Sequence, residues 1–293
     1  MSRNKSRISV PQQPTPKQKA PIPQPTKNQD NPFGLSFVVP TEIVKLPSSG
    51  YIYSENSPLK GITEVEVKAV TAAEEDIMIN DSFIQQGIVF DRLIDSIMIT
   101  PGIRAQDLMD CDKMAILMSA RKTGYGDNIN FNVECGSCRN QYEIDVSLTG
   151  MIEETENNPY RPSSGDGWEY LEESNTFSFD LPTSNLNVNI KLLTPEEISK
   201  FEASRIQKEK LGLPFNETIE FLRAVLVSAQ GVTDRSPLNK LAEVLPAADA
   251  RRIRLIHNTN LPKVKTNQEV VCPRCGHEEQ KEVPFSLGWF WSQ

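Results

Sequence analysis

Phe131-Asn132-Val133-Glu134-Cys135-Gly136-Ser137-Cys138 and, further along, Val270-Val271-Cys272-Pro273-Arg274-Cys275-Gly276-His277 are two Cys-x-x-Cys knuckles, each approached through a β-type run. Their surroundings mark them as copies. Asp112 stands 23 residues before Cys135, and Asp249 stands 23 before Cys272. At the same offset Ile253 and Leu255 fall opposite Ile116 and Met118, and Val270 opposite Val133. Further upstream, Leu181-Pro182-Thr183-Ser184 echoes Leu46-Pro47-Ser48-Ser49, and Phe221, Leu222, Val225 and Leu226 mirror Leu93, Ile94, Ile97 and Met98. Thr71 and Thr194 each precede a glutamate by three residues, Glu74 and Glu197, the spacing of a reciprocal helix cap, and Pro195 sits at a first helical position that needs no amide. Two unrelated motifs would have no reason to share this preamble. The offset between the copies grows from 123 at the threonines to 137 at the cysteines, which predicts an insertion in the second copy near 208–215, in a surface loop where added length costs little.

The pattern within each copy predicts an α+β fold. Phe37-Val38-Val39, Ile43-Val44 and Tyr51-Ile52-Tyr53 are short β-type runs broken by Pro40, Pro47 and Ser48-Ser49-Gly50. Val65-Glu66-Val67-Lys68-Ala69-Val70 alternates with the period of a half-buried strand, and Leu186-Asn187-Val188-Asn189-Ile190 repeats it. Helices follow the capping threonines, run through Leu93 to Met98, and run through Met114 to Met118 until Gly124-Tyr125-Gly126 ends them. We therefore expect two similar tandem lobes, each a strand, about three helices and a β-knuckle, related by a pseudo-twofold axis. Residues 33–148 form the first and 176–293 the second, with a Glu-, Asn-, Ser- and Pro-rich linker at 149–175. Residues 1–32, with seven prolines and little apolar content, are expected to be a disordered, mildly basic arm. The aromatic end, Phe285 to Trp291, is expected either to fold back over the second half or to dock into a partner.

Structural zinc takes four tetrahedral ligands, and each knuckle offers two thiolates with no second pair in its own copy. One ion between the copies is satisfied by Cys135, Cys138, Cys272 and Cys275 and lies on the pseudo-twofold axis. Other readings remain open: cross-copy disulfides, His277 in place of one cysteine, two separate sites, or a thiol oxidoreductase, although redox Cys-x-x-Cys pairs open helices and these follow β-type runs. Cys111 has no counterpart and reads as a small buried residue. A formal charge of −8 and a pI near 5.1 argue against a broad nucleic-acid surface. Arg251, Arg252, Arg254, Lys263 and Lys265 nevertheless form a local basic cluster that keeps a zinc-ribbon nucleic-acid binder as the alternative function. Two histidines, no glycine-rich phosphate loop and glutamate pairs already used as caps leave no catalytic constellation. The absence of an apolar run of ~18 residues or a signal peptide predicts a chain made in the cytosol.

Taken in order, Val44-Lys45-Leu46-Pro47-Ser48-Ser49-Gly50-Tyr51-Ile52-Tyr53, Ser57-Pro58-Leu59 with Gly61, Thr71 to Ile77, Ala120-Arg121-Lys122-Thr123-Gly124-Tyr125-Gly126 and the Cys135 knuckle resemble the T4-type baseplate hub proteins of contractile-tailed bacteriophages. The resemblance covers about 37–290. It implies a non-enzymatic virion protein of the tail baseplate or an assembly factor acting in the host cytoplasm, with other baseplate and tail proteins as partners in a symmetric assembly. It carries over no catalytic residues.

Overall fold

A computed structural model of the chain describes residues 39–283 and 287–290. The arm at 1–32, Phe37 and Val38 of the first β-type run, and Phe285, Ser286 and Trp291 of the aromatic end lie outside the described residues.

Strand β1 (Thr41–Lys45) pairs antiparallel with β2 (Glu64–Lys68), Val44 facing Val65. The alternation of β2 sends Val65 and Val67 inward and Glu64 and Glu66 outward. Tyr51-Ile52-Tyr53, expected as a strand, is instead a loop. Ser49 and Gly50 turn the backbone through positive φ, a Cβ on Gly50 would meet the Gly61 backbone at 2.7 Å, and the loop carries Ile52 and Tyr53 into the core. Buried side chains in that stretch were anchors rather than one face of a sheet.

Helix α1 (Ala72–Met78) begins after Thr71, followed by α2 (Asp81–Gln85) and α3 (Val89–Ile97). Glu74 is nearly closed to solvent. Its carboxylate accepts from the Thr71 N–H (2.9 Å), the Thr71 hydroxyl (2.6 Å), the Ser96 hydroxyl (2.6 Å) and Lys68 Nζ (2.8 Å). Burial opposes its ionisation, but the Lys68, Ser96 and Thr71 donors outweigh burial and hold the pKa down at about 2. The stabilisation is therefore complete above the ordinary value near 4.5 and disappears as pH falls from there through about 2, a span of roughly 3 kcal/mol. Acid titration of Glu74→Gln, followed by circular dichroism, should show a stability change across this window smaller than the parent's by roughly 3 kcal/mol; an unchanged acid limb would disprove the role.

Helix α4 (Asp110–Tyr125) ends at Gly126, φ 94°. With Leu93, Ile94, Ile97, Met78 and Leu59 its Ile116 and Leu117 close the first core. The chain then forms the hairpin β3 (Asn128–Glu134) and β4 (Gln141–Ser147), followed by α5 (Leu148–Asn157). The expected linker is thus partly built into the fold. Leu148, Met151 and Ile152 recur at helical spacing, and Leu148 and Met151 are buried with Met118, Ile129, Val146 and Val283. Their stripe was masked in the sequence by the surrounding Glu and Asn.

Strands β5 (Glu169–Leu171), β6 (Thr176–Asp180) and β7 (Asn187–Ile190) lead to α6 (Pro195–Lys210), α7 (Glu217–Val225) and β8 (Leu226–Ala229). The four strands form one antiparallel sheet in the order β5-β6-β7-β8. Thr194 and Glu197 cap α6 reciprocally, each accepting the other's amide N–H. Helices α8 (Arg235–Val244) and α9 (Ala247–Thr259) complete the second core around Phe177, Val188, Leu222, Val225 and Ile253, and the hairpin β9 (Asn267–Val271) and β10 (Glu278–Glu282) follows.

Details recur in both halves. Helix α3 ends at Met98 with φ −65° and ψ 123°, which bridges Val67 of β2; α7 ends at Leu226 with φ −67° and ψ 122°, which pairs with Ile190 of β7. Asp112 accepts from the Ser48 N–H (2.9 Å), and Asp249 from the Thr183 (2.7 Å) and Ser184 (3.0 Å) N–H groups. Other expectations need correction. The extra length of the second half is not confined to 208–215: the larger part separates Leu226 from Asp249, where α8 stands in place of the short 3-10 turn Ala105–Asp107. Leu255 is 54% exposed although Met118, which the spacing sets opposite it, is buried, because Met118 packs beneath α5 and no described element covers Leu255 in that way. Phe290 folds back, but onto the first core, packing against Phe90 (6.1 Å between ring centroids) and Tyr125 (6.5 Å).

Candidate metal centre

Each knuckle is the turn of a two-stranded hairpin. The last β3–β4 pair is Glu134 with Gln141, and the first β9–β10 pair is Val271 with Glu278, so six residues cross between strands in both cases. The Cys135 N–H donates to the Asn140 carbonyl (2.9 Å) and the Arg139 N–H to the Cys135 carbonyl (3.0 Å). Cys272 donates to the His277 carbonyl (2.9 Å) and Gly276 to the Cys272 carbonyl (2.9 Å). The residue after the second cysteine takes positive φ in both turns, 55° at Arg139 and 70° at Gly276. Glycine adopts that conformation without strain, which makes the second knuckle the more easily formed.

The two hairpins bring their sulfurs together. Cys135 Sγ lies 3.7 Å from Cys275 Sγ, and Cys138 Sγ lies 3.7 Å from Cys272 Sγ. All four sulfurs fall within 4.8 Å of one another. Four thiolates around an ion at about 2.3 Å stand roughly 3.8 Å apart along the edges of a tetrahedron, so the spacing is compatible with a bound metal ion. A disulfide needs about 2.05 Å, and all five cysteines are free. Both motifs lie in hairpin turns rather than at helix N-termini, where a dipole would activate a redox thiol. His277 serves the turn through its backbone and is not one of the clustered residues, and Cys111 lies elsewhere, 3.7 Å from Asp112.

Electrostatics favour a cation. Burial opposes ionisation of Cys272, but backbone N–H groups of Cys275 and Arg274 overcome it and bring the thiol to about 7. The His277 backbone favours ionised Cys275, yet hydrogen bonding to Cys138, burial and the other two sulfurs push its thiol up to about 12. Sulfurs this close do not all shed protons unless positive charge arrives between them. Tyr142, whose hydroxyl is buried without a hydrogen-bond partner, lies in the same field, its pKa raised first by burial and then by Cys272 and Glu279.

One brace between the knuckles escaped sequence reading. Glu279 of β10 accepts the Gly136 N–H of the other hairpin at 3.0 Å, and a Cβ on Gly136 would approach the same carboxylate at 2.9 Å. No spacing rule links positions so far apart in the chain. Two of the five basic residues are engaged in the fold: Arg252 donates to the Gly167 carbonyl (3.1 Å) and Arg254 to the Thr218 hydroxyl (3.2 Å).

A family model described as T4 bacteriophage base plate protein matches residues 39–290. Among curated proteins and among solved structures nothing matches the chain. Among the described residues no helix is long and apolar enough to cross a membrane.

Proposed function

The chain belongs to the T4 bacteriophage base plate protein family, and we propose that it is a non-enzymatic structural or assembly protein of the tail baseplate hub, held together by one zinc ion. In this reading Cys135, Cys138, Cys272 and Cys275 are the ligands, and 33–148 and 176–293 are the duplicated lobes that the ion clamps. The observation that carries it is the convergence of four sulfurs from hairpins so distant in sequence. Zinc fits an all-thiolate tetrahedral set with no open position, the mark of a structural rather than a catalytic site. The recurrent Asp112 and Asp249 anchors, the paired helix caps and the matching turns of α3 and α7 into strands support the duplication. Tail partners follow from the family, and the finished virion or the host cytoplasm during assembly is where the chain works.

Elemental analysis of purified protein is expected to give about one zinc per chain. Two per chain, or none in protein that is fully folded, would contradict the shared clamp. The zinc-ribbon alternative predicts nucleic-acid binding that falls steeply with salt; the acidic charge and the engaged arginines lead us to expect no retention of duplex or single-stranded DNA at low salt.

A further inference from the structure

A groove of about 900 Å³ runs between the 46–51 turn, the segment after α5 and the β5–β6 turn. Tyr51, Tyr160 and Tyr170 line it with aromatic rings, beside Leu46, Pro47 and Pro159. Tyr51 and Tyr160 meet edge to face with centroids 6.3 Å apart, while Tyr170 leans on Phe177 at 5.3 Å and donates its hydroxyl to Asn175 (3.0 Å), so the rings are held in place. The rim is acidic. Lys45 pairs with Glu156 and Lys60 with Glu55, both 3.0 Å, which leaves three further carboxylates, Glu64, Glu172 and Glu173, against one further cation, Arg161.

Aromatic slots of this kind recognise proline-rich strands. The polyproline helix is formed before binding and loses little entropy, its ring faces lie flat on tyrosine, and interspersed lysines reach rim carboxylates. Such a segment exists in this sequence: 10–27 holds six prolines and three lysines without one acidic residue, and 1–32 as a whole has six cationic side chains against Asp30 alone. An arm inserted into the groove of the next copy is a head-to-tail contact, the kind that closes rings in symmetric assemblies. We propose that this groove is an intersubunit docking site whose occupant is the 10–27 segment of a second copy of the chain. The inference deepens the baseplate reading by naming a partner, and it does not depend on the metal.

The test uses the full chain with a fluorescent synthetic peptide of sequence 10–27, read by anisotropy, and sedimentation of the chain alone. Binding should weaken at least tenfold with Glu172→Lys/Glu173→Lys, with Tyr51→Ser, and with a peptide whose prolines are alanines but whose lysines remain. All three side chains are exposed, so the fold should survive, and zinc content with near-UV circular dichroism equal to the parent verifies it. The parent should self-associate with rising concentration, the double variant should not, and mixing it with a Lys17→Glu/Lys19→Glu chain should restore association. Equal affinity for the variants or for the proline-free peptide overturns the proposal. So does a chain that stays monomeric at every concentration while the peptide binds, which gives the groove to another occupant. Failure here with zinc retained leaves the clamp standing; loss of zinc in the parent strikes the clamp alone.

Discussion

Cys272→Ser is expected to release the metal completely and to unfold both halves of the chain in one transition. Cys272 is 1% exposed, and its thiol is the one brought down to about 7, so it is the sulfur best prepared to bind as a thiolate. Serine keeps the volume but not the negative charge. Structural zinc contributes on the order of 10 kcal/mol or more of apparent free energy, as large as the whole stability of an ordinary domain. The second hairpin also feeds the first half directly: Val283, which follows β10, is buried among Met118, Ile129, Val146, Leu148 and Met151. Loosening the β9–β10 turn therefore opens a core made mostly by the other half. Elemental analysis and thermal melts read by near-UV circular dichroism test this. Cys111→Ser, at a buried thiol outside the cluster, should retain all zinc and lose no more than about 2 kcal/mol. A Cys272→Ser protein that keeps its metal, or that frays only at 267–282 with the first core intact, would show that the sulfurs do not clamp the fold.

The convergence of the four cysteines was legible because ligand chemistry is written in spacing: two pairs, each on a β-turn and each preceded at equal distance by a buried aspartate. Helix starts were equally legible: Glu74 and Glu197 accept the Thr71 and Thr194 amides and the Thr194 hydroxyl accepts the Glu197 N–H, although the Thr71 hydroxyl donates to Glu74 instead. What failed to show depended on partners distant in the chain. Tyr53 reads as a β-type residue, yet its position is set by Asp112; Phe290 reads as a terminal anchor of unknown address, yet it fills a gap beside Phe90. Leu255 follows the pattern of a core residue but lies in the open, because burial depends on whether another element arrives to cover it. Glu279 and Gly136 meet only because the two cysteine hairpins already face each other.

The two aspartates that precede the knuckles hold the same kind of loop, but with different partners, and from this comes the second large effect. Asp249 receives backbone N–H groups from Thr183 and Ser184; burial opposes its ionisation, and these donors still hold its pKa below the usual range. Both carboxylates are closed to solvent, but Asp112 is packed more deeply and burial wins there: its carboxyl is pushed up despite the Ser48 N–H (2.9 Å), the Ser48 hydroxyl (2.6 Å) and the Tyr53 hydroxyl that donate to it. Tyr53 in turn accepts the Met109 N–H at 3.0 Å, so the carboxyl, the phenol and the start of α4 form one closed chain. Asp112→Ala strands three buried donors and leaves a hole, a loss of about 4 kcal/mol or more. Asp112→Asn keeps an acceptor and the volume, and should lose roughly half of that. Tyr53→Phe removes the acceptor of the Met109 N–H, and because it breaks the same chain its effect should fall well short of additive with Asp112→Asn. Urea denaturation of the single and double variants measures this directly. Additive losses, or an alanine variant no weaker than the asparagine one, would mean that the loop is held by packing of Ile52 and Leu59 and that the buried carboxyl contributes little.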